Sequence, residues 1–272
     1  MKKIILVVLL FIIGLIIFSY PFVSDLLMKQ RMISKINIYK LNISNLDNEI
    51  VCKEWEKARI YNEKLRENTF QLPHMQTSGK LLPDNYLDVL SIEEVMAVLE
   101  IPKINVNLPI YHGVSDDILK KGVGHIEGTT LPIGGEGMHS FLTSHTGLPE
   151  TKLLTDLVKI QLGDVFFVRV LGGKIAYQVD QIDIIEPHEI VNYAKWSDGD
   201  YITLVTCIPY GVNSHRLLVR GKHINIIHIP PVFEDRNAYF PWQLIVIVVS
   251  IIIFVAMLLI LLLVKREKKS KN

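Results

Sequence analysis

The chain has 272 residues, 29 Lys and Arg against 28 Asp and Glu, a net charge of +1 and an apolar fraction of 49%. No basic stripe interleaved with aromatics occurs, which argues against nucleic acid as a partner. Two cysteines, Cys52 and Cys207, are too few for the disulfide framework of a small exported domain.

The apolar content is concentrated at the two ends. Residues 4–19 carry no charge, and the run reaches residue 23 if Tyr20, Pro21 and Phe22 lie at an interface. Residues 244–264 are likewise uncharged. At 1.5 Å per residue the second run is about 31 Å long, against a bilayer core of roughly 30 Å. Both runs are read as spanning helices. Lys2 and Lys3 precede the first, while Lys265, Arg266, Lys268, Lys269 and Lys271 follow the second, so the positive-inside rule puts both termini in the cytoplasm. Tyr239, Phe240 and Trp242 mark the outer interface of the second span. The alternative for the first run is a cleaved signal, but no small-x-small site follows it.

Between the spans, Ile33, Ile36, Tyr39, Ile43, Leu46 and Ile50 step by threes and fours, the period of an amphipathic helix. The helical texture continues past Cys52 and Trp55 to Asn62, as a stalk or collar at the base of the outer domain. Cys52 itself is expected to be a small side chain against the core or a neighbour. Residues 71–84, with two prolines and a glycine, form a linker or loop. From Val95 onward short β-prone runs alternate with turn residues: VMAVLEI, NLPIYHG, HSFLTSH, VFFVRVL, KIAYQVDQIDII, YITLVTCI and HRLLVRGKHINIIHI. This spacing indicates an antiparallel barrel or sandwich.

The chemistry concentrates at residues 201–222. An apolar β-run delivers Cys207 to a strand end, Ile208-Pro209-Tyr210-Gly211 turns the chain, and Arg216 lies nine residues on, in the returning run. Strands about 4.8 Å apart let the Arg216 arm reach the sulfur or a group bound beside it. A permanent cation near an accessible thiol suits nucleophilic catalysis. His145, where an apolar run meets the loop Thr146-Gly147-Leu148-Pro149, is the best proton-handling group. His215 adjoins Arg216 and faces the other way on a strand. His139 is read as a hydrogen-bonded structural histidine. A zinc site from His139, His145 and Cys207 lacks any metal-ligand spacing, and Gly134-Gly135-Glu136-Gly137 is a turn rather than a phosphate cradle.

The string TLVTCIPYGVNSHRLLVRG, residues 203–221, resembles the TLxTC…R signature of sortases, and its PYGxNxHRLLVRG portion is similar to class C, the pilin-polymerising branch. SHTGLP at 144–149 resembles that branch's histidine segment, and LEIPKINVNLPIYHG at 99–113 its first barrel strands. The resemblance implies a cysteine transpeptidase. In it Cys207 is the nucleophile that attacks the Thr–Gly carbonyl of an LPxTG-like sorting signal, giving a thioacyl-enzyme. His145 is the general acid and base, Arg216 steadies substrate and the developing oxyanion, and Thr206 lines the substrate groove. It further implies partners: proteins bearing such signals, a pilin lysine amine as acceptor, and the membrane. Neither cofactor nor metal is implied. Class C enzymes usually carry a lid with an Asp-Pro-aromatic motif; here Leu82-Pro83-Asp84-Asn85-Tyr86 has those residue types in another order.

The expected architecture is mainly β: a sortase-like closed barrel with an N-terminal helical segment and two flanking transmembrane helices. Its parts are an anchor (1–23), a helical segment and linker or lid region (24–92), the catalytic barrel (93–229), a juxtamembrane linker (230–241), a second span (242–264) and a basic cytoplasmic tail (265–272). The competing functions are anchoring of surface proteins to peptidoglycan and a non-enzymatic assembly scaffold.

Overall fold

The computed structural model describes residues 2–67, 85–146, 151–193, 198–225, 248–252 and 254–256. The chain falls into two compact units, residues 1–23 with 233–272, and residues 24–232. In the first unit, α1 (Lys2–Asn45) begins as a helix long and apolar enough to cross a membrane, and it continues through Pro21 without a break. Within that unit the rings of Phe11 and Phe254 stack with centroids 3.8 Å apart. Most of the second apolar run, and the residues 82–84 compared above with a lid motif, lie outside the described residues.

The second unit is a closed eight-stranded barrel. Its strands are β1 (Ala97–Ile101), β2 (Val106–His112), β3 (Val123–His125), β4 (His139–Thr143), β5 (Val165–Val170), β6 (Gly173–Ile185), β7 (Tyr201–Ile208) and β8 (His215–Ile224). They are ordered β1-β2-β3-β4-β7-β8-β6-β5, with β5 returning to β1. The barrel is not wholly antiparallel, as the strand spacing had suggested: β2 with β3 and β4 with β7 are parallel pairs. A parallel neighbour needs a crossover; α3 (Asp116–Lys121) lies in the first crossover, and β5 and β6 in the second. Period-two alternation reveals a buried face but not the direction of the neighbouring strand. The three-residue β3 was not read from the sequence at all. Gly124 allows a close approach of backbone there: a Cβ would lie 2.4 Å from the Gly113 carbonyl oxygen.

Leu99, Ile110, Leu142, Phe166, Val168, Tyr177, Leu204 and Val219 fill the interior. The helices do not stand off as a stalk. From α1, Ile36 and Tyr39 pack on Val95, Val98 and Tyr111. From α2 (Asn48–Glu67), Ala58, Tyr61 and Leu65 join the main core. A large apolar side chain fully buried in this way contributes about 1.5–3 kcal/mol. Polar ties fix the helices in register: Tyr39 Oη donates to Met96 O (3.2 Å) and accepts from Leu171 N (3.0 Å). The Asn62 amide exchanges two hydrogen bonds with the Leu131 backbone, at 3.1 and 2.8 Å. Cys52 corrects the expectation of a packed side chain. It is exposed, because α2 turns Val51, Trp55 and Ala58 toward the barrel and position 52 lies off that stripe.

Candidate active site

Strand β7 pairs with β8 so that Cys207 lies directly opposite Arg216, following Val205 opposite Leu218 and Thr203 opposite Arg220. Directly opposed residues of an antiparallel pair share a face, with Cβ atoms about 4.5–5.5 Å apart. That face is the outside of the barrel. Ile202 and Leu204 of β7, and Leu217 and Val219 of β8, belong to the interior core. Val205 and Leu218 instead join Phe141 and Ile185 in a separate cluster, with Ile126, Ile190 and Tyr193 packed against it. This outer apolar cluster continues the face that carries Cys207 and Arg216. Cys207 is a free, half-buried thiol.

β4 runs parallel to β7 on the other side, in register from His139 opposite Tyr201 to Thr143 opposite Val205. Continued two residues past the end of β4, the same register leads His145 toward the level of Cys207. Several bonds hold the 144–146 segment there: Ser144 N donates to Val205 O at 3.3 Å, Ser144 Oγ donates to Gly122 O at 2.6 Å, and Thr206 Oγ1 donates to Ser144 O at 3.1 Å and also pairs with Thr146 Oγ1. Ser144 and Thr146 are buried, so alternation turns His145 toward the Cys207 face. The His145 side chain is 28% exposed, and its Nε2 lies 3.0 Å from Asp116 Oδ1. The second oxygen of Asp116 is paired with Lys120. The Lys120 ammonium, and next the His145 ring, hold the Asp116 carboxyl below the usual carboxylate range.

Arg216 Nη1 donates to Asn213 O (3.0 Å) and to His215 O (3.1 Å). Among the described residues it pairs with no carboxylate, so main-chain dipoles orient the guanidinium without cancelling its charge. Asn213 reaches it from a left-handed conformation, φ 57°, after its own N–H bonds to Pro209 O at 2.9 Å.

Three of the four candidates, Cys207, Arg216 and His145, therefore meet on one outer face. Thr206 does not. Its side chain is 1% exposed and, as the residue adjacent to Cys207 on a strand, points the opposite way. The expectation that it lines a substrate groove is corrected: its hydroxyl ties β7 to the His145 segment. His139 lies outside the trio, its Nε2 2.8 Å from Thr203 Oγ1 and its ring against Phe141 and Tyr201. His215 is exposed, its Nδ1 bonded to Ser214 Oγ at 2.8 Å. The glycines at 134–137 form a turn that offers Gly135 N to Asp200 Oδ2 at 2.7 Å. Among the described residues no three His, Cys, Asp or Glu side chains are grouped to hold a metal ion. Asp116 and Asn213 carried no role in the sequence reading. Asp116 is 29 residues from its partner, and no local pattern marks the contact.

Solved structures of known proteins resemble this fold. A sortase-domain model matches residues 99–224. The structure of sortase C1 from pilus island 1 of GBS superposes with a TM-score of 0.66 at 38% identity, covering 76% of this chain and 98% of that one. Sortase C-1 of Streptococcus pneumoniae gives a TM-score of 0.64 at 39% identity, covering 71% of this chain and all of that one. Sortase D of Bacillus subtilis is 26% identical over 134 residues, which is 48% of this chain and 65% of that protein's length. With a family model centred on the barrel and near-complete coverage of two solved relatives, the chain belongs to the sortase family of cysteine transpeptidases, and the solved structures it resembles are class C sortases.

Proposed function

We propose that the chain cleaves an LPxTG-like sorting signal between Thr and Gly and passes the acyl group to a lysine amine of a pilin, polymerising pili at the outer face of a membrane. Cys207 gives its thiol proton to His145 and its Sγ adds to the Thr carbonyl, while Arg216 donates to the oxygen as it gains negative charge. Preorganised donors of this kind commonly supply the largest share of such catalysis. Collapse of the adduct breaks the C–N bond, and His145 gives its proton to the departing glycine amine. The lysine amine then attacks the thioester and loses a proton to the same imidazole. The isopeptide forms and the Cys207 sulfur leaves, ready for the next cycle.

What supports this reading is the register: Cys207 stands opposite Arg216 on one side, and on the other the β4–β7 pairing, continued two residues past Thr143, leads His145 toward the level of Cys207. Pilin as acceptor is supported by the relatives, one of which is a sortase C1 of a pilus island. Attachment to the membrane is supported by the apolar start of α1. The two-pass arrangement with cytoplasmic termini rests on the second apolar run and the basic flanks.

Mass spectrometry of the full chain incubated with an LPxTG peptide and candidate amines tests the reading. The wild type should form a thioacyl adduct at Cys207 and an amide product, both abolished by Cys207→Ala. Covalent pilin multimers produced by the Cys207→Ala variant would overturn it.

A further inference from the structure

We propose that Asp116 is a positioning residue for His145: it orients the imidazole and sets which ring nitrogen carries the proton. The inference rests on the role given to His145 above and adds a group outside the trio. A carboxylate only accepts hydrogen bonds, so the 3.0 Å contact from Asp116 Oδ1 requires the hydrogen on Nε2. In the neutral ring Nδ1 is then the unprotonated nitrogen, the one able to take a proton from a thiol or an incoming amine. This is the logic by which a third group orients a catalytic base.

The carboxylate is held in place from both ends of its helix. At the start of α3, Asp116 is clamped by Lys120 one turn on. At the end, the Gly122 carbonyl accepts from Ser144 Oγ at 2.6 Å. Between them Ile118 packs on the cluster of Ile36, Tyr39, Val95 and Tyr111. The short helix therefore grips two consecutive residues, 144 by the backbone carbonyl and 145 by the carboxylate. The His145 side chain is 28% exposed, so packing alone leaves the ring freedom to turn about its own axis. The Asp116 contact removes that freedom.

The test uses the full chain in detergent micelles, with ¹⁵N-labelled histidine and the His145 signals assigned by His145→Gln. The wild type should show the Nε2–H tautomer of neutral His145. Asp116→Ala should give a mixed tautomer population and a kcat for LPxTG-peptide cleavage lower by about 10- to 100-fold, with KM within about twofold. Asp116→Asn retains an acceptor oxygen and should lie between the two. Asp117→Ala, which removes a neighbouring exposed carboxylate on the same helix, should stay within about twofold of wild type. Wild-type kcat or an unchanged tautomer in Asp116→Ala, with circular dichroism showing the fold intact, overturns the proposal. If Asp116→Ala does not fold, Asp116→Asn decides by the same two readouts. Full activity in His145→Ala would instead remove the reading on which the proposal rests, which keeps the two failures apart.

Discussion

Thr206→Val tests how the active face is assembled. Valine keeps the branched shape of threonine and its preference for strands but removes the hydroxyl that joins Ser144 O and Thr146 Oγ1. Both partners are buried, at 2% and 9% exposure, so water does not readily replace the lost bonds. Leaving such groups unsatisfied costs about 1–3 kcal/mol. Thr206→Ser keeps the hydroxyl and loses one methyl, about 1 kcal/mol. The two variants therefore overlap in stability but differ in the tie between β7 and the His145 segment. A misplacement of about 1 Å at reacting groups costs on the order of 100-fold in rate. Thr206→Val should accordingly lose about 10- to 100-fold in kcat while Thr206→Ser stays within about threefold. The assay is cleavage of a quenched LPxTG peptide by the full chain, with thermal unfolding followed in parallel by circular dichroism. Equal loss of kcat in both variants would show that the methyl packing matters and the hydroxyl tie does not.

Other outcomes follow from the same structure. His125 is fully buried; desolvation pushes its ring down to about 4 from an ordinary 6.5, with Nδ1 2.9 Å from Tyr86 Oη and Nε2 2.8 Å from Thr130 O. A depressed folded value means that stability is fully present above pH 6.5 and is lost as pH falls toward 4, by about 3 kcal/mol. Unfolding measured from pH 7.5 to 4 should show this loss, and His125→Gln should flatten it; identical slopes for the two proteins would count against it. Asn213→Gly tolerates the left-handed backbone that aims the 213 carbonyl at Arg216, whereas Asn213→Val resists it by about 1–2 kcal/mol. Peptide turnover should survive in the first and fall at least fivefold in the second, and equal rates would detach Arg216 from that carbonyl. In a Cys207→Ala background, exposed Cys52 should react with a membrane-impermeant maleimide on intact cells. Labelling only after lysis would reverse the orientation given to the outer unit.

Much of the active face was legible in sequence because alternation is local information. The run from Tyr201 to Ile208 identifies a strand, the turn residues after it identify a reversal, and nine residues bring Arg216 back opposite Cys207. The burial of Thr206 was legible too. If Cys207 faces outward, its neighbour cannot. Other features rest on contacts between distant segments. The Asp116–His145 bond joins residues 29 apart, the parallel pairing of β4 with β7 spans the whole β5–β6 hairpin, and β3 pairs with β2 and β4 at a point where Gly124 leaves room for the Gly113 carbonyl. None of these leaves a periodic trace in the residues that make it.

The interior of the barrel and the chemistry use opposite sides of the same two strands, with Ile202 and Leu204 facing in and Val205 and Cys207 facing out or continuing that face. Deleting or inserting a single residue within β7 would exchange these sets, burying the thiol and presenting leucine to solvent. Evolution can thus lengthen the turn between β7 and β8 with little penalty to the core, while the spacing within each strand stays locked. Diversity among related enzymes should gather in the segments over the outer face, where new sequence can meet new substrates without disturbing the cylinder beneath.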